Sequence, residues 1–418
     1  MAKFVYVIGT ADTKLEELLW LKSCLRSAGA DSHIIDVSTG PSNAFNENVK
    51  VDINATQVSA YHPDGIAAVF GKDRGKSVTA MSVALTHFLQ STADDISGLI
   101  GIGGSGGTAL ITTAMKAMPI GIPKLMVSTM ASGNVGGYVG GVDIAMLYTV
   151  TDLSGLNYLS RTILANAANM IAGAVSQSVQ MDDARKPAVG LTMFGVTTPC
   201  VNQLMALLSE QFDSLVFHAT GNGGTSMERL AENHEIVGVL DITLTEIADL
   251  LFGGVLACPE TRLDSIAQTQ IPWVGSAGAL DMINFSDQRS IPERYAQRQF
   301  VEHNAQVKLM RTTPAENYQL GVWIGNKLNL CNGPVRFIIP EGGFSALDAP
   351  GQPFFDPQAR QAFAEGLEST VVQTAQRQII KTPHHINAPE FSSLVMALFQ
   401  DVMQHRELLH HSTPGNPS

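Results

Sequence analysis

Two glycine-rich runs hold the residues best suited to grip a phosphate or a carboxylate. Gly103-Gly104-Ser105-Gly106-Gly107-Thr108 follows the apolar run Leu99-Ile100-Gly101-Ile102, and Gly221-Asn222-Gly223-Gly224-Thr225 follows Leu215-Val216-Phe217-His218. Each leads into a helix-like pattern. A strand, a bare loop and a helix N-terminus in succession turn backbone N–H groups toward an anion. The first run also matches GxGxxG, yet it lacks the acid that a dinucleotide site places about twenty positions on for the ribose. Gly121-Ile122-Pro123-Lys124 stands there, and no acid occurs before Asp143. Anion binding remains; a nicotinamide site does not.

Other polar turns fall at the ends of strand-like runs, where open α/β sheets collect ligands. Gly9-Thr10-Ala11-Asp12-Thr13-Lys14 closes the first run, and Asp36 closes the second, where a ribose-binding acid would stand. Gly71-Lys72-Asp73-Arg74-Gly75-Lys76-Ser77 resembles a P-loop but is one residue too short for GxxxxGK[ST], so it reads as a basic loop able to touch phosphate. Ser132-Gly133-Asn134-Val135-Gly136 adds hydroxyl and amide groups after a further strand. In the second half, Glu246, His303, Arg311 and Glu341 sit at inferred strand ends and are the candidates for acid–base or substrate-anchoring roles. The adjacent His384 and His385 do not have the spacing of a helical zinc motif, and metal ligands stay unassigned.

The elements that must position these residues alternate. Strands are expected at Phe4–Ile8, Ser32–Val37, Ile66–Phe70, Leu99–Ile102 and Lys124–Val127, with helices at Thr13–Ala28, Lys76–Gln90 and Thr108–Met118 and a long buried helix over Leu156–Val179. A polar break at Met181–Pro187 separates this from a second series. There strands are expected at Ala188–Phe194, Leu215–His218, Ile236–Leu240, Gly254–Leu256, Trp273–Gly275 and Val335–Ile339, with helices at Val201–Gln211 and Ala359–Ala375. The opening of the second series repeats the strand, Thr-containing turn, helix and strand of the first. The fold class is α/β, two Rossmann-like domains with mainly parallel sheets, over residues 1–184 and 185–418.

Composition narrows the partners. With 418 residues the chain exceeds what one core usually supports, and 45% hydrophobic against 15% charged residues describes globular domains. A net charge of −12 argues against nucleic acid and anionic membranes as general partners. No apolar stretch is long enough to span a bilayer, the first residues read as a strand and not a leader, and four scattered cysteines fit a reducing cytoplasm.

Several blocks together resemble a known family. Gly9–Lys14, Asp73-Arg74-Gly75, Gly103–Thr108 and Ser132-Gly133-Asn134 in the first half are similar to the ATP-binding amino-terminal region of the tomato mosaic virus resistance protein and to stand-alone bacterial proteins of uncharacterised function. So are Leu240–Glu246, Gly278–Phe285, His303-Asn304, Leu309–Pro314 and Ser345–Asp348 in the second half. One departure stands in the late block, where His384 replaces the family's more usual acid. The resemblance implies ATP bound in the first domain and assembly into homo-oligomers; Mg2+ is expected from phosphate chemistry. It places the nucleotide against Gly9, Thr10, Asp12, Lys14, Asp36, Arg74, Gly103, Gly104, Ser105, Gly106, Gly107, Thr108, Ser132, Gly133, Asn134 and Gly136. Two functions are expected on this basis. One is an ATP-dependent enzyme acting on a small carboxylated metabolite in the cleft between the domains. The other is a non-catalytic, nucleotide-gated protein that acts through a partner.

Overall fold

Near-continuous apolar strands linked by amphipathic helices can only be buried as a parallel sheet covered on both faces, and the chain builds that arrangement twice. The computed structural model describes residues 3–40, 51–176, 185–286, 291–304 and 307–411. It divides into two compact units, Met1–Met181 and Asp182–Ser418. The expected break at 181–187 and the expected boundary after residue 184 fall largely on residues outside those described.

Unit 1 runs β1 (Phe4–Gly9), α1 (Ala11–Ser27), β2 (Ser32–Asp36), α2 (Ala55–Ser59), α3 (Arg74–Ser91), β3 (Ile96–Gly103), α4 (Ser105–Lys116), β4 (Lys124–Ser128), α5 (Gly136–Val139), β5 (Ile144–Tyr148) and α6 (Tyr158–Ser176). Its sheet is parallel throughout, in the order β2-β1-β3-β4-β5. Alternate residues of β1 serve the two faces. Val5 and Val7 pack with α1 and α6, while Tyr6 and Ile8 pack with α3 and α4.

Unit 2 runs β6 (Ala188–Met193), α7 (Thr198–Leu208), β7 (Asp213–His218), α8 (Asn222–Glu232), β8 (Gly238–Thr243), α9 (Thr245–Phe252), α10 (Asp264–Thr269), β9 (Trp273–Gly278), β10 (Met282–Phe285), β11 (Phe300–Asn304), β12 (Val307–Arg311), α11 (Pro314–Asn329), β13 (Val335–Pro340), α12 (Pro357–Thr370), β14 (Arg377–Thr382) and α13 (Pro389–His411). The main sheet is parallel, ordered β14-β13-β9-β8-β6-β7, and β10-β12-β11 forms a small antiparallel sheet. The first three strands of each unit share one topology, with the first strand between the second and the third.

Several expected elements differ. Ile66–Phe70 is no strand; Ile66–Ala68 forms a single 3-10 turn after Gly65, whose φ of 78° starts a bend and not an extension. Gly254–Leu256 is a loop, fastened by the Asp249 carboxylate, which accepts the Leu256 N–H at 2.8 Å. The late helix stops at Thr370, because Val371 turns extended toward β14. The long helix is described over Tyr158–Ser176 and buries one face only, leaving Tyr158 84% exposed. No expectation covers β5, β14, the antiparallel sheet, α11, α13 or the short helices α2, α5, α9 and α10.

Candidate functional site

In unit 1 the connections leave β1 toward β2 on one side and reach β3 on the other, so the carboxyl ends of β1 and β3 flank a topological switch point, where such sheets bind ligands. A cleft of about 600 Å3 opens there. That volume suits a small-molecule pocket, roughly 300–1,000 Å3. The β1–α1 turn gives it Thr10, Asp12 and Lys14, and the loop entering α3 gives Lys72 and Arg74. Residues 103–107 form another wall, and Val37, Val78 and Leu110 add an apolar lining.

Three helix N-termini meet this region, and only one is free for an anion. In α1 the first donors are spent: Ala11 N–H donates to Asp36 Oδ1 at 2.9 Å and Asp12 N–H to Ser38 Oγ at 3.1 Å. In α3 the Asp73 carboxylate accepts from Gly75 N–H at 2.9 Å and Lys76 N–H at 3.2 Å. That cap occupies the groups a P-loop would offer to phosphate, which disposes of the P-loop resemblance on geometry. In α4 the N-cap is Gly104, with no side-chain cap, and the first backbone bond is Thr108 N–H to Gly104 C=O at 2.8 Å. The N–H groups of Ser105, Gly106 and Gly107 therefore carry the positive end of the helix dipole with no capping side chain.

Cationic side chains surround that end. Lys14 donates to the Leu153 carbonyl at 2.6 Å, and it interrupts α1 with non-helical angles. Lys72 and Arg74 are exposed and form no ion pair with another described residue. Asp12 is the one carboxylate among the described residues lining the cleft.

The remaining expected ligand contacts are placed differently. Gly9 is buried where a side chain would press on Leu18 and Ile102, so it serves packing. Asp36 Oδ1 is the acceptor for Ala11 N–H, Ser38 N–H and the Ser38 hydroxyl, which makes the residue a buried brace for the β1–α1 turn; burial raises its pKa. Thr108 is buried, with its hydroxyl 2.6 Å from that of Ser128. Ser132, Gly133, Asn134 and Gly136 lie after β4 and do not line the cleft; Asn134 accepts from Gly136 N–H at 2.9 Å. Lys72 is the residue the sequence reading left out of the contact set, although the alternation Lys72-Asp73-Arg74 signalled it.

Unit 2 has the same switch-point topology between β6 and β8, but several groups there are paired with one another. Thr197 Oγ1 lies 2.8 Å from Thr243 Oγ1, Thr192 donates to Asp241 at 2.7 Å, and Asn387 Nδ2 donates to the Val196 carbonyl at 3.0 Å. The second glycine loop is closed as well. A Cβ on Gly223 would collide with the His218 carbonyl, and one on Gly224 with the Glu246 carboxylate. These glycines admit neighbouring atoms, not a ligand.

The three acid–base candidates whose side chains are described, Glu246, Arg311 and Glu341, each have separate partners. Glu246 is fully buried: Oε1 accepts from Arg262 Nε at 2.6 Å and Oε2 from Gly221 N–H at 2.7 Å. Arg262 also holds Asp241 at 2.8 Å and Glu228, all in the dry interior. Burial raises the pKa of Glu228 and Glu246, against the pull of Arg262. Arg311 donates to the Phe354 carbonyl at 2.7 Å and stands 3.8 Å from Asp348, bracing a loop. Glu341 is half exposed at the end of β13, 3.8 Å from Lys381. His303 lies on β11, and its side chain is outside the described residues.

Ser345, His385 and Asp281 meet in a group that mimics a hydrolytic triad in composition. The hydrogen bonds run otherwise. Ser345 Oγ donates to Asp281 at 2.7 Å, His385 Nε2 contacts the Ser345 carbonyl at 2.9 Å, and His385 Nδ1 accepts from Asn387 N–H at 3.0 Å. The Ser345 side chain is buried and its hydroxyl is bonded to Asp281, not to His385, so the Ser–His contact of a hydrolytic triad is not made.

One buried acid gives a pH prediction. Asp249 holds Leu256 and Asn284 in place, and burial pushes its pKa from 3.8 up to about 7. The folded state keeps this proton where the unfolded state releases it, so stability falls as pH rises from about 4 to about 7 and is level above. The full contribution is about 4 kcal/mol at most. Denaturant unfolding of wild type and Asp249→Asn across that range is expected to show their difference shifting toward the variant as pH rises; a constant difference would reject it.

Comparison with known proteins covers most of the chain. The model of the uncharacterised protein family UPF0261 N-terminal domain matches residues 3–180, and that of its C-terminal domain residues 186–403. A UPF0261 protein of Rhizobium meliloti is 51% identical over 401 residues, covering 96% of this chain and 99% of that protein. One from Clostridium tetani is 40% identical over 397 residues, covering 94% and 97%. The ToMV resistance protein Tm-1 of Solanum lycopersicum is 41% identical over 419 residues, which cover 95% of this chain and 55% of the tomato protein. Among the described residues no helix is long and apolar enough to cross a membrane.

Proposed function

The chain belongs to the uncharacterised protein family UPF0261, and we propose that its first unit binds ATP by the phosphates. The observation that carries this reading is the uncapped N-terminus of α4, facing a cleft lined by Lys14, Lys72 and Arg74 in a chain of net charge −12. Local positive potential against an acidic whole selects a small anion over a polyanionic polymer. ATP is the species the family resemblance implies. Mg2+ fits beside it, because this ion usually takes one or two carboxylates and fills its shell with phosphate and water; Asp12 would supply the carboxylate. The same reading takes the protein to be a cytoplasmic homo-oligomer.

Of the two roles for the bound nucleotide, a specific observation favours the non-catalytic one. Glu246 is held in a buried network, Arg311 spends hydrogen bonds on a loop carbonyl, and Glu341 pairs with Lys381, so among the described side chains these three candidates have separate partners and do not make one site for a carboxylated metabolite. Under this reading occupancy of unit 1 gates a partner or the protein's own assembly. Calorimetry with ATP and Mg2+ is expected to give one saturable site per chain. Purified protein given ATP and a panel of small acids is expected to release neither ADP nor phosphate above background. Steady release dependent on one acid would reinstate the enzyme, and absence of binding would remove the nucleotide reading itself.

A further inference from the structure

We propose that the loop from Gly71 to Ser77 reads how many phosphates the nucleotide carries, with Lys72 and Arg74 engaging the terminal phosphate of a triphosphate. The proposal rests on the nucleotide reading of the cleft and adds a division of labour within it. The N–H groups of Ser105, Gly106 and Gly107 form a compact set suited to one phosphate group. A chain of three phosphates held there at one point must find further partners elsewhere in the cleft. Lys14 already spends a hydrogen bond on the Leu153 carbonyl. Lys72 and Arg74 enter from a different element and have no ion pair with another described residue.

The loop is built to present these two cations together. Lys72 and Arg74 line the cleft, whereas Asp73 between them lines a separate depression and caps α3. The alternation thus keeps the loop's own acid out of the cleft lining, where Asp12 is the carboxylate among the described residues. Ser77 fixes the strap. Its buried hydroxyl accepts from Gly71 N–H at 3.3 Å and lies 3.5 Å from the Gly71 carbonyl, tying the two ends of the loop. The loop is therefore formed before a nucleotide arrives, and Ser77 acts as a positioning residue.

Calorimetry with ATP and with ADP, each with Mg2+, tests this on wild type, on Lys72→Ala/Arg74→Ala and on Ser77→Ala. Wild type is expected to prefer ATP by about 10- to 100-fold, the range of a few charge-assisted hydrogen bonds. The double variant is expected to lose more affinity for ATP than for ADP, and so to lose the preference. Ser77→Ala is expected to shrink the preference while leaving ADP affinity in place. The loop is exposed, so the double variant keeps the fold, which circular dichroism checks. An equal loss of ATP and ADP affinity in the double variant, or a wild type that does not discriminate, would overturn phosphate reading and leave nucleotide binding standing. No binding of either nucleotide would overturn both.

Discussion

Arg262→Met is expected to destabilise unit 2 by about 3–5 kcal/mol or more, the cost of leaving buried carboxylates without their counter-ion. Arg262 is fully buried and faces three acids on three elements: Glu228 on α8, Asp241 on β8 and Glu246 on α9. Burial works against its charge, and the surrounding carboxylates outweigh burial and hold the guanidinium protonated far above its usual range. One positive group faces three buried acids, and burial raises the pKa of Glu228 and Glu246 against its pull. Removing the arginine leaves the acids with only their remaining donors, such as the N–H groups of Gly221 and Leu263. Glu246→Gln is expected to cost far less, about 1–2 kcal/mol, since it forfeits one hydrogen bond and keeps the packing. The check is thermal unfolding, with a fall of roughly 10 °C or more for the arginine variant and a few degrees for the glutamine variant. Equal losses, or a larger one for Glu246→Gln, would mean that the cluster does not centre on Arg262.

Gly106→Asp is expected to lower ATP affinity by about a thousandfold and to leave the fold intact. A Cβ at Gly106 would meet nothing within 4 Å, so the new side chain enters open space at the mouth of α4. An acid in the first turn suits the helix dipole, which keeps the helix at least as stable as before. The same carboxylate stands where the phosphate is proposed to lie. A like charge about 4 Å away at an effective dielectric of about 20 costs about 4 kcal/mol, close to three powers of ten. Gly103 offers no such test, because a side chain there would press on the backbone of Gly107 and Thr108. Unfolding midpoints equal to wild type with binding retained would show that the anion sits elsewhere.

The sequence made the first site legible because its signal is local. A strand, a glycine loop and a helix follow one another in Leu99–Met118, and the turn at Gly9–Lys14 repeats the logic, so β1, β3, α1 and α4 were placed within a few residues. Several of the strands without an expectation are edge or appended elements. β5 and β14 lie at the sheets' edges, and their half-exposed patterns lack the continuous apolar run that marked β3. The second glycine loop misled for a tertiary reason. Its glycines look like those of the first, but their purpose is set by Arg262, Glu246 and the Ala257 carbonyl, which approach from segments far along the chain. Asp36 shows the same limit: an acid ending a strand has one local appearance, whether it meets a ribose or caps the neighbouring turn through Ala11 and Ser38. Spacing identified groups able to bind an anion, and only packing distinguished the free ones from those already engaged.

Amide hydrogen exchange with and without ATP and Mg2+ tests the central claim most directly, because it reads the proposed donors themselves. The N–H groups of Ser105, Gly106 and Gly107 have no capping side chain, and they are expected to exchange quickly in the free protein and to slow markedly on binding. Unchanged exchange at these three amides when the protein is saturated with ATP, or protection confined to residues 185–411, would contradict the assignment of the phosphates to α4.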